Sequence, residues 1–180
     1  MQQTQKTVGL FINDSETFKN GCIQQPYFIY KAMKQHYDSE NTIIFSHDLD
    51  SLQMGDTVIK TRKIGLDSDE SDVDLIIFVS SNITNTEVYE KWKQQGVKLV
   101  NLICGNWFVI LQEDLVSDMH KRIDNSIFHD YYDEIWLMPM YTFFRSWLET
   151  MTHIPVKMFP YVWDAEVIEK HMRDNKLNCV

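Results

Sequence analysis

Asn20-Gly21, followed by Gln24 and Gln25, is the segment of this chain whose residue types best suit a polar ligand. A glycine ahead of a helix start presents unpaired backbone N–H groups and the positive end of a helix dipole, which favours an anion. Asn20, Gln24 and Gln25 add neutral donors and acceptors that match sugar hydroxyls. Taken alone, Asn20-Gly21 is more often a plain loop turn. Neither G-x-G-x-x-G nor G-x-x-x-x-G-K-[ST] occurs, so NAD and P-loop nucleotides lose their main sequence support.

Cys104-Gly105-Asn106 is the second phrase with chemistry in it. A nucleophilic thiol needs a base or positive surroundings, and the sequence assigns none of its 6 histidines to Cys104. A small residue closing a buried strand is the simpler reading, with Gly105 and Asn106 opening the next helix. Asp48-Leu49-Asp50 stands where a metal-dependent, single-domain glycosyltransferase would carry Asp-x-Asp for Mn²⁺ or Mg²⁺. The same spacing recurs at Asp67/Asp69 and Asp72/Asp74, as it does by chance in an acidic chain. His36, His47, His120, His129, His153 and His171 form no recognised ligand pair. His129-Asp130, placed before a strand, is the pair retained as a candidate acid/base site. Trp136, Tyr141, Phe143, Phe144 and Trp147 read as core, with exposed members near Tyr141 able to stack on a pyranose. Arg145 cannot lose its charge and must find a carboxylate, a carbonyl or a phosphate.

These residues need elements to position them. Val8 to Ile12, Ile43 to Phe45, Leu75 to Val79 and Val97 to Ile103 are short apolar runs closed by turn residues, as buried strands are. Glu134 to Met138 and Val156 to Val162 predict two more strands, and Thr57 to Lys63 a more polar one suited to an edge. Helices are expected from Ile23 to Tyr37, Thr84 to Gln95 (capped by Thr84), Trp107 to Val116, Tyr141 to Met151 and Ala165 to Asp174. Strands alternating with helices, several apolar on both faces, mean a mostly parallel sheet covered on both sides. Ligands in such sheets bind beyond the carboxyl ends of the strands, where Gly21, Ser80, Gly105 and Pro139 fall. The acidic stretch Asp67 to Asp74 reads as a solvated loop.

The whole chain has 180 residues, one domain by length, with 44% hydrophobic and 24% charged residues. Its formal net charge of -9 disfavours nucleic acid and anionic membrane surfaces. Three cysteines without C-x-x-C spacing argue against a disulfide framework or a structural zinc. The polar first residues carry no signal-peptide core, and no apolar run is long enough to cross a bilayer. A reduced, soluble, cytoplasmic domain is expected.

A set of ordered phrases resembles the DUF2827 family, bacterial proteins assigned to the two-domain GT-B glycosyltransferase architecture. The phrases are Asn20-Gly21-Cys22 with Gln24; Asp74-Leu75-Ile76-Ile77; Gly96-Val97-Lys98-Leu99-Val100; Cys104-Gly105-Asn106; and Tyr132-Asp133-Glu134-Ile135-Trp136. Pro139, Arg145, Pro155-Val156, Pro160 and Trp163 complete them. The chain departs from the family pattern at Tyr161, where a His is expected, and at Asp164-Ala165, where Ser-Pro is expected.

The resemblance implies an α/β, Rossmann-like three-layer α/β/α fold with a mostly parallel sheet, one half of a GT-B architecture. Residues 1–163 would be the N-terminal, acceptor-side domain, and 164–180 a C-terminal helix or the start of an interdomain linker. It implies transfer of a sugar from a nucleotide-sugar donor to a glycan or other hydroxyl acceptor, with no further cofactor and no metal. A C-terminal donor-binding domain would act in cis or trans, and this half alone would transfer sugar poorly. In that scheme Gly21 lies beside the diphosphate; Asn20, Gln24 and Asn106 orient hydroxyls; Gln25, Gly105, Tyr141 and Arg145 contact substrate; and Asp130 or His129 deprotonates the acceptor. Two other readings stay open. One is a non-catalytic carbohydrate- or protein-binding module, homodimeric through an exposed apolar face. The other is the metal-dependent enzyme using Asp48 and Asp50.

Overall fold

The computed structural model describes residues 7–12, 21–37, 41–47, 49–54, 57–79, 83, 85–104, 131–162, 165 and 169, with the backbone alone at 21–24, 37 and 54. In chain order the elements are β1 (Val8–Phe11), α1 (Gly21–Tyr37), β2 (Thr42–Ser46), β3 (Ser51–Met54) and β4 (Thr57–Lys63). They continue with β5 (Leu75–Val79), α2 (Thr86–Gln94), β6 (Lys98–Ile103) and β7 (Glu134–Leu137). A 3-10 helix (Pro139–Phe144), α3 (Arg145–Thr152) and β8 (Val156–Met158) follow.

Among the described residues the strands make one sheet of 8, in the order β3-β4-β2-β1-β5-β6-β7-β8. Every neighbouring pair is parallel except β3 with β4. Parallel strands buried on both faces need apolar residues at every position, and the burial of β1, β5 and β6 shows this. Phe11, Phe45, Ile76, Phe78, Leu99, Ile103, Ile135 and Leu137 point to the face that α2 and α3 cover. Val8, Leu10, Ile44, Ile77, Val79, Val100 and Leu102 point to the other, packing with Tyr27, Phe28, Ile29 and Tyr30 of α1. Helices therefore lie on both faces, and the fold is a Rossmann-like three-layer α/β/α sandwich.

The side each helix takes follows from handedness. The chain moves from β1 to β2 in one direction, then returns past β1 to β5 and steps to β6 in the other. Right-handed crossovers in opposite directions place their helices on opposite faces. α1 and α2 obey this rule. The reversal falls between β1 and β5.

The face under α2 is an aromatic layer. Register puts Phe45, Phe11 and Phe78 side by side across β2, β1 and β5. Tyr89 and Trp92 of α2 lie on this row, with the Phe78 ring 5.3 Å from Tyr89 and 6.0 Å from Trp92, centroid to centroid. Gly9 leaves room for it: a Cβ there would stand 2.3 Å from the Phe45 ring. Both helical aromatics are 0% exposed, so their polar tips need partners. The Trp92 indole N–H donates to Glu70 Oε2 at 2.8 Å, and the Tyr89 hydroxyl accepts the Ile83 N–H at 2.7 Å.

Several elements differ from the sequence expectation, each for a local reason. The stretch 67–74 is not simply a solvated loop, because Glu70 is fully buried beneath α2 and paired with Trp92 and Lys91. Asp72 is held by Arg62 through two hydrogen bonds, and Asp74 accepts the Thr7 N–H. β4 is not the edge; β3 pairs outside it. The cap of α2 is Asn85, whose side chain accepts the Glu87 N–H at 3.1 Å, one residue beyond the expected Thr84. The expected helix Tyr141 to Met151 is a 3-10 turn begun by Pro139 and then α3. The expected helix Trp107 to Val116 lies outside the described residues, as does most of Ala165 to Asp174.

Gly9→Ala is expected to lower stability by about 1–3 kcal/mol, because the Phe45 ring must leave its place in the aromatic layer. Gly65→Ala serves as the control, since a Cβ there meets nothing nearer than 4.0 Å. Urea unfolding of the two variants checks this: equal stability would show that the layer is not tightly packed at Gly9.

Candidate functional site

Strand order reverses between β1 and β5, and α/β sheets take ligands beyond the carboxyl ends of their strands at such a point. Three described segments reach it. β1 ends there at Phe11, β5 ends there at Val79, and α1 starts there at Gly21 before running back toward the opposite edge. The described part of α1 begins here at Gly21; the first N–H groups of a helix are in general open to a ligand.

Gln25 stands at this end of α1. Its side-chain oxygen is buried and accepts no hydrogen bond among the described residues. A buried acceptor without a donor costs about 1–3 kcal/mol, and folded proteins keep few of them without a functional reason. Pro26 follows directly, inside the helix rather than in its first turn. Lacking an N–H, it cannot bond the carbonyl of Cys22. The carboxyl-edge end of α1 is therefore rich in acceptors as well as in amides, and a group that both donates and accepts fits it better than a bare anion.

Further along the same edge stand the ends of β6, β7 and β8. Cys104 follows β6 and packs against the cores of both faces. Tyr141, in the 3-10 turn after β7, lies close enough to Tyr161 and Cys104 for both to affect its ionisation. Burial first, then these two neighbours, hold its phenol above the ordinary value, so it remains a neutral hydroxyl. With strands about 4.8 Å apart, β7 is roughly 14 Å from β1 along the edge. His47 closes β2 on the other side of β1, with its ring set edge-on to Phe11 at 5.2 Å.

The structure thus brings Gly21, Gln25 and Tyr141 to one edge, with Cys104 marking the strand end that Gly105 and Asn106 continue. Arg145 opens α3 directly after the 3-10 turn, and its Nε is 3.3 Å from Glu149 Oε1 one turn on, so a carboxylate meets its charge. Asp50 is exposed and paired with Lys63 at 3.0 Å. Among the described residues no three His, Cys, Asp or Glu side chains converge as a metal site would require. Asn20, Asp48, Gly105, Asn106, His129 and Asp130 lie outside the described residues, as does the side chain of Gln24. Tyr131, next after Asp130, sits at the amino-terminal approach to β7, the opposite edge of the sheet. Sequence reasoning met His47 only as one of six histidines without a ligand pair and Tyr161 only as a departure from the family pattern, since nothing local ties either to this edge.

The strongest electrostatic cluster is elsewhere. On the α1 side of the sheet, Glu134 Oε1 accepts from Lys98 Nζ at 2.6 Å and Lys157 Nζ at 2.5 Å. Glu134 Oε2 accepts from the Trp136 indole at 2.8 Å. Burial alone would push the carboxyl up, but the hydrogen bonds from Lys157, Lys98 and Trp136 outweigh it and bring it down to about 2. These residues join β6, β7 and β8 near their amino ends. That is a clamp between strands, not a reacting group.

A family model for proteins of unknown function, DUF2827, matches residues 7–178. No curated protein matches the chain. Among solved structures, an AraC family transcriptional regulator from Pseudomonas putida is 15% identical, with a TM-score of 0.39 over 86% of this chain and 77% of that one. Aspartate semialdehyde dehydrogenase II from Vibrio cholerae is 12% identical, with a TM-score of 0.37 over 85% of this chain and 38% of the dehydrogenase. In complex with its ligand ASA, the same enzyme gives a TM-score of 0.36 over 84% and 41%. The chain thus spans well under half of the dehydrogenase.

The Glu134 clamp sets an expected pH response. Its folded value of about 2 lies below the ordinary 4.5, so its stabilisation is complete above pH 4.5 and lost as pH falls toward 2. Urea unfolding across that window should show a decline that Glu134→Gln makes shallower. An unchanged slope in the variant would show that the two lysines do not hold the carboxylate in solution.

Proposed function

The chain belongs to the DUF2827 family, and we propose that it is the acceptor-side, Rossmann-like domain of a glycosyltransferase. In this reading a sugar passes from a nucleotide-sugar donor to a hydroxyl acceptor, with a donor-binding domain supplied in cis or trans. The observation that carries the proposal is the buried, unpartnered oxygen of Gln25 at the start of α1. An acceptor oxygen repels a phosphate oxygen and attracts a hydroxyl. The neighbouring helix amides favour an anion. A sugar or ribose hydroxyl beside a diphosphate meets both demands, and a reversal of strand order such as that between β1 and β5 is where α/β sheets take such ligands. Support also comes from the ordered phrases from Asn20 to Trp163. The pairing of Asp50 with Lys63 weighs against the metal-dependent alternative.

The roles follow from placement. The amides at Gly21 face the diphosphate, Gln25 accepts a hydrogen bond from a hydroxyl, and the neutral Tyr141 hydroxyl marks the far end of the ligand path. No base is assigned among the described residues. The domain's contribution is orientation of the acceptor, which by itself supplies much of a transfer reaction's advantage.

A second reading has its own observation. Met140, Phe143, Trp147 and Met151 recur at helical spacing and are all exposed, Phe143 by 72%. Such a stripe suits a binding module that associates through it.

Gln25→Leu separates function from stability. Removing an orphan acceptor should leave stability unchanged or raise it by up to about 1 kcal/mol. The same change should weaken binding of uridine- or guanosine-diphosphate sugars, or of oligosaccharide acceptors, by about tenfold. Titration followed by NMR checks this, and a wild-type protein that binds none of them, or a variant that binds equally, contradicts the proposal. Sedimentation tests the second reading: a tight dimer dissociated by Phe143→Ser supports the module, and a monomer at all concentrations removes it.

A further inference from the structure

We infer that the outer face of the 3-10 turn and α3 seats the apolar tail of an amphiphilic acceptor, a hydroxyl compound carrying an alkyl, acyl or prenyl chain. The inference rests on the reading of the carboxyl edge as an acceptor site, and names the substrate class of that site. Met140, Phe143, Trp147 and Met151 are exposed by 55%, 72%, 42% and 56%. Steps of three and four residues bring them to one side of the turn and helix, away from the buried Leu148 and Thr152. A contiguous exposed run of large apolar groups marks a surface that meets a partner.

Three observations choose the occupant. The first is area: two aromatic and two methionine side chains at these exposures offer about 400–500 Å². A stable dimer needs about 800 Å² from each partner, whereas a single hydrocarbon chain fits the smaller patch. The second is polarity. Of the four residues only Trp147 carries an N–H donor. Thr142 and Thr150, which border the stripe, donate their hydroxyl protons to the carbonyls of Pro139 and Ser146. Arg145 bonds to Glu149, and both stand two residues from Trp147, across the helix from it. A sugar ring on the stripe would leave most of its hydroxyls unmatched, and a phosphate headgroup would find Arg145 already engaged; a hydrocarbon chain needs neither kind of partner. The third is position. Met140 and Phe143 stand on either side of Tyr141 in sequence, in the turn that follows β7 at the carboxyl edge. From Met140 to Met151 the stripe runs about 18 Å. An acceptor can place its hydroxyl end beside Tyr141 and lay its chain along α3.

Alkyl glucosides vary the chain and keep the head. Hexyl, heptyl and octyl glucoside, titrated below their micelle concentrations and followed by NMR, should bind about twofold more tightly for each added methylene, as a chain half sheltered from water does. Phe143→Ser should flatten that dependence. Val58→Ser, at a valine 63% exposed on β4, is the control and should leave it unchanged. Affinity independent of chain length, or no glucoside bound by a protein that binds UDP-glucose, overturns the inference and leaves the carboxyl-edge reading intact. A dependence that survives Phe143→Ser overturns it as well, as does a dimer that Phe143→Ser dissociates, which would give the stripe to a second copy. A wild-type protein that binds neither the glucosides nor UDP-glucose overturns the carboxyl-edge reading, and this inference with it.

Discussion

Aromatic side chains with polar tips can be fully buried only where those tips find partners, and that constraint organises this molecule. Trp92 and Tyr89 are 0% exposed against the phenylalanine row of the sheet. Each therefore fixes a piece of backbone or a side chain at a distance in sequence. Trp92 draws Glu70 under α2, which ties down the loop entering β5. Tyr89 accepts the N–H of Ile83, four residues past the end of β5. One helix thus bonds to residues on both sides of the central strand in sequence. Gly9 is the other half of the same constraint, because a side chain there would displace Phe45 from the layer.

From this layer the functional logic runs outward. A parallel sheet covered on both faces leaves only its two edges for chemistry. Helix amides gather at the carboxyl edge, and the reversal of strand order separates two loops there. Several described polar groups elsewhere are well paired: Asp72 with Arg62, Asp133 with Lys93 and the Leu99 N–H, Glu134 with two lysines and an indole. Three buried side-chain oxygens among the described residues have no partner, on Gln25, Glu70 and Gln95, and of these Gln25 stands at the carboxyl edge.

Much of the fold was legible because burial on both faces writes itself into the sequence. Leu75 to Val79 has no polar position, and the strand has those bounds. β3 was not legible: Ser51-Leu52-Gln53-Met54 has one buried residue among them whose burial is described, Leu52, and its pairing with β4 is a tertiary event. Glu70 was hidden by its own neighbours, since a run of acids reads as solvated until an indole N–H 22 residues away reaches one of them. At the site, Gln25 was legible by residue type and by its place near a helix start. Its lack of a donor was not, because satisfaction is a property of three-dimensional surroundings. Tyr89 shows the same limit: its position on α2 follows from spacing, but its bond to Ile83 depends on where the chain turns after β5.

The most direct measurement is a crystal structure of the protein with a bound nucleotide sugar. Expected is a ligand hydroxyl or N–H within hydrogen-bonding distance of Gln25 Oε1, with its diphosphate against the first turn of α1. A ligand seated at the amino edge of the sheet or along Met140 to Met151, with Gln25 satisfied by the chain's own groups, would contradict the central claim.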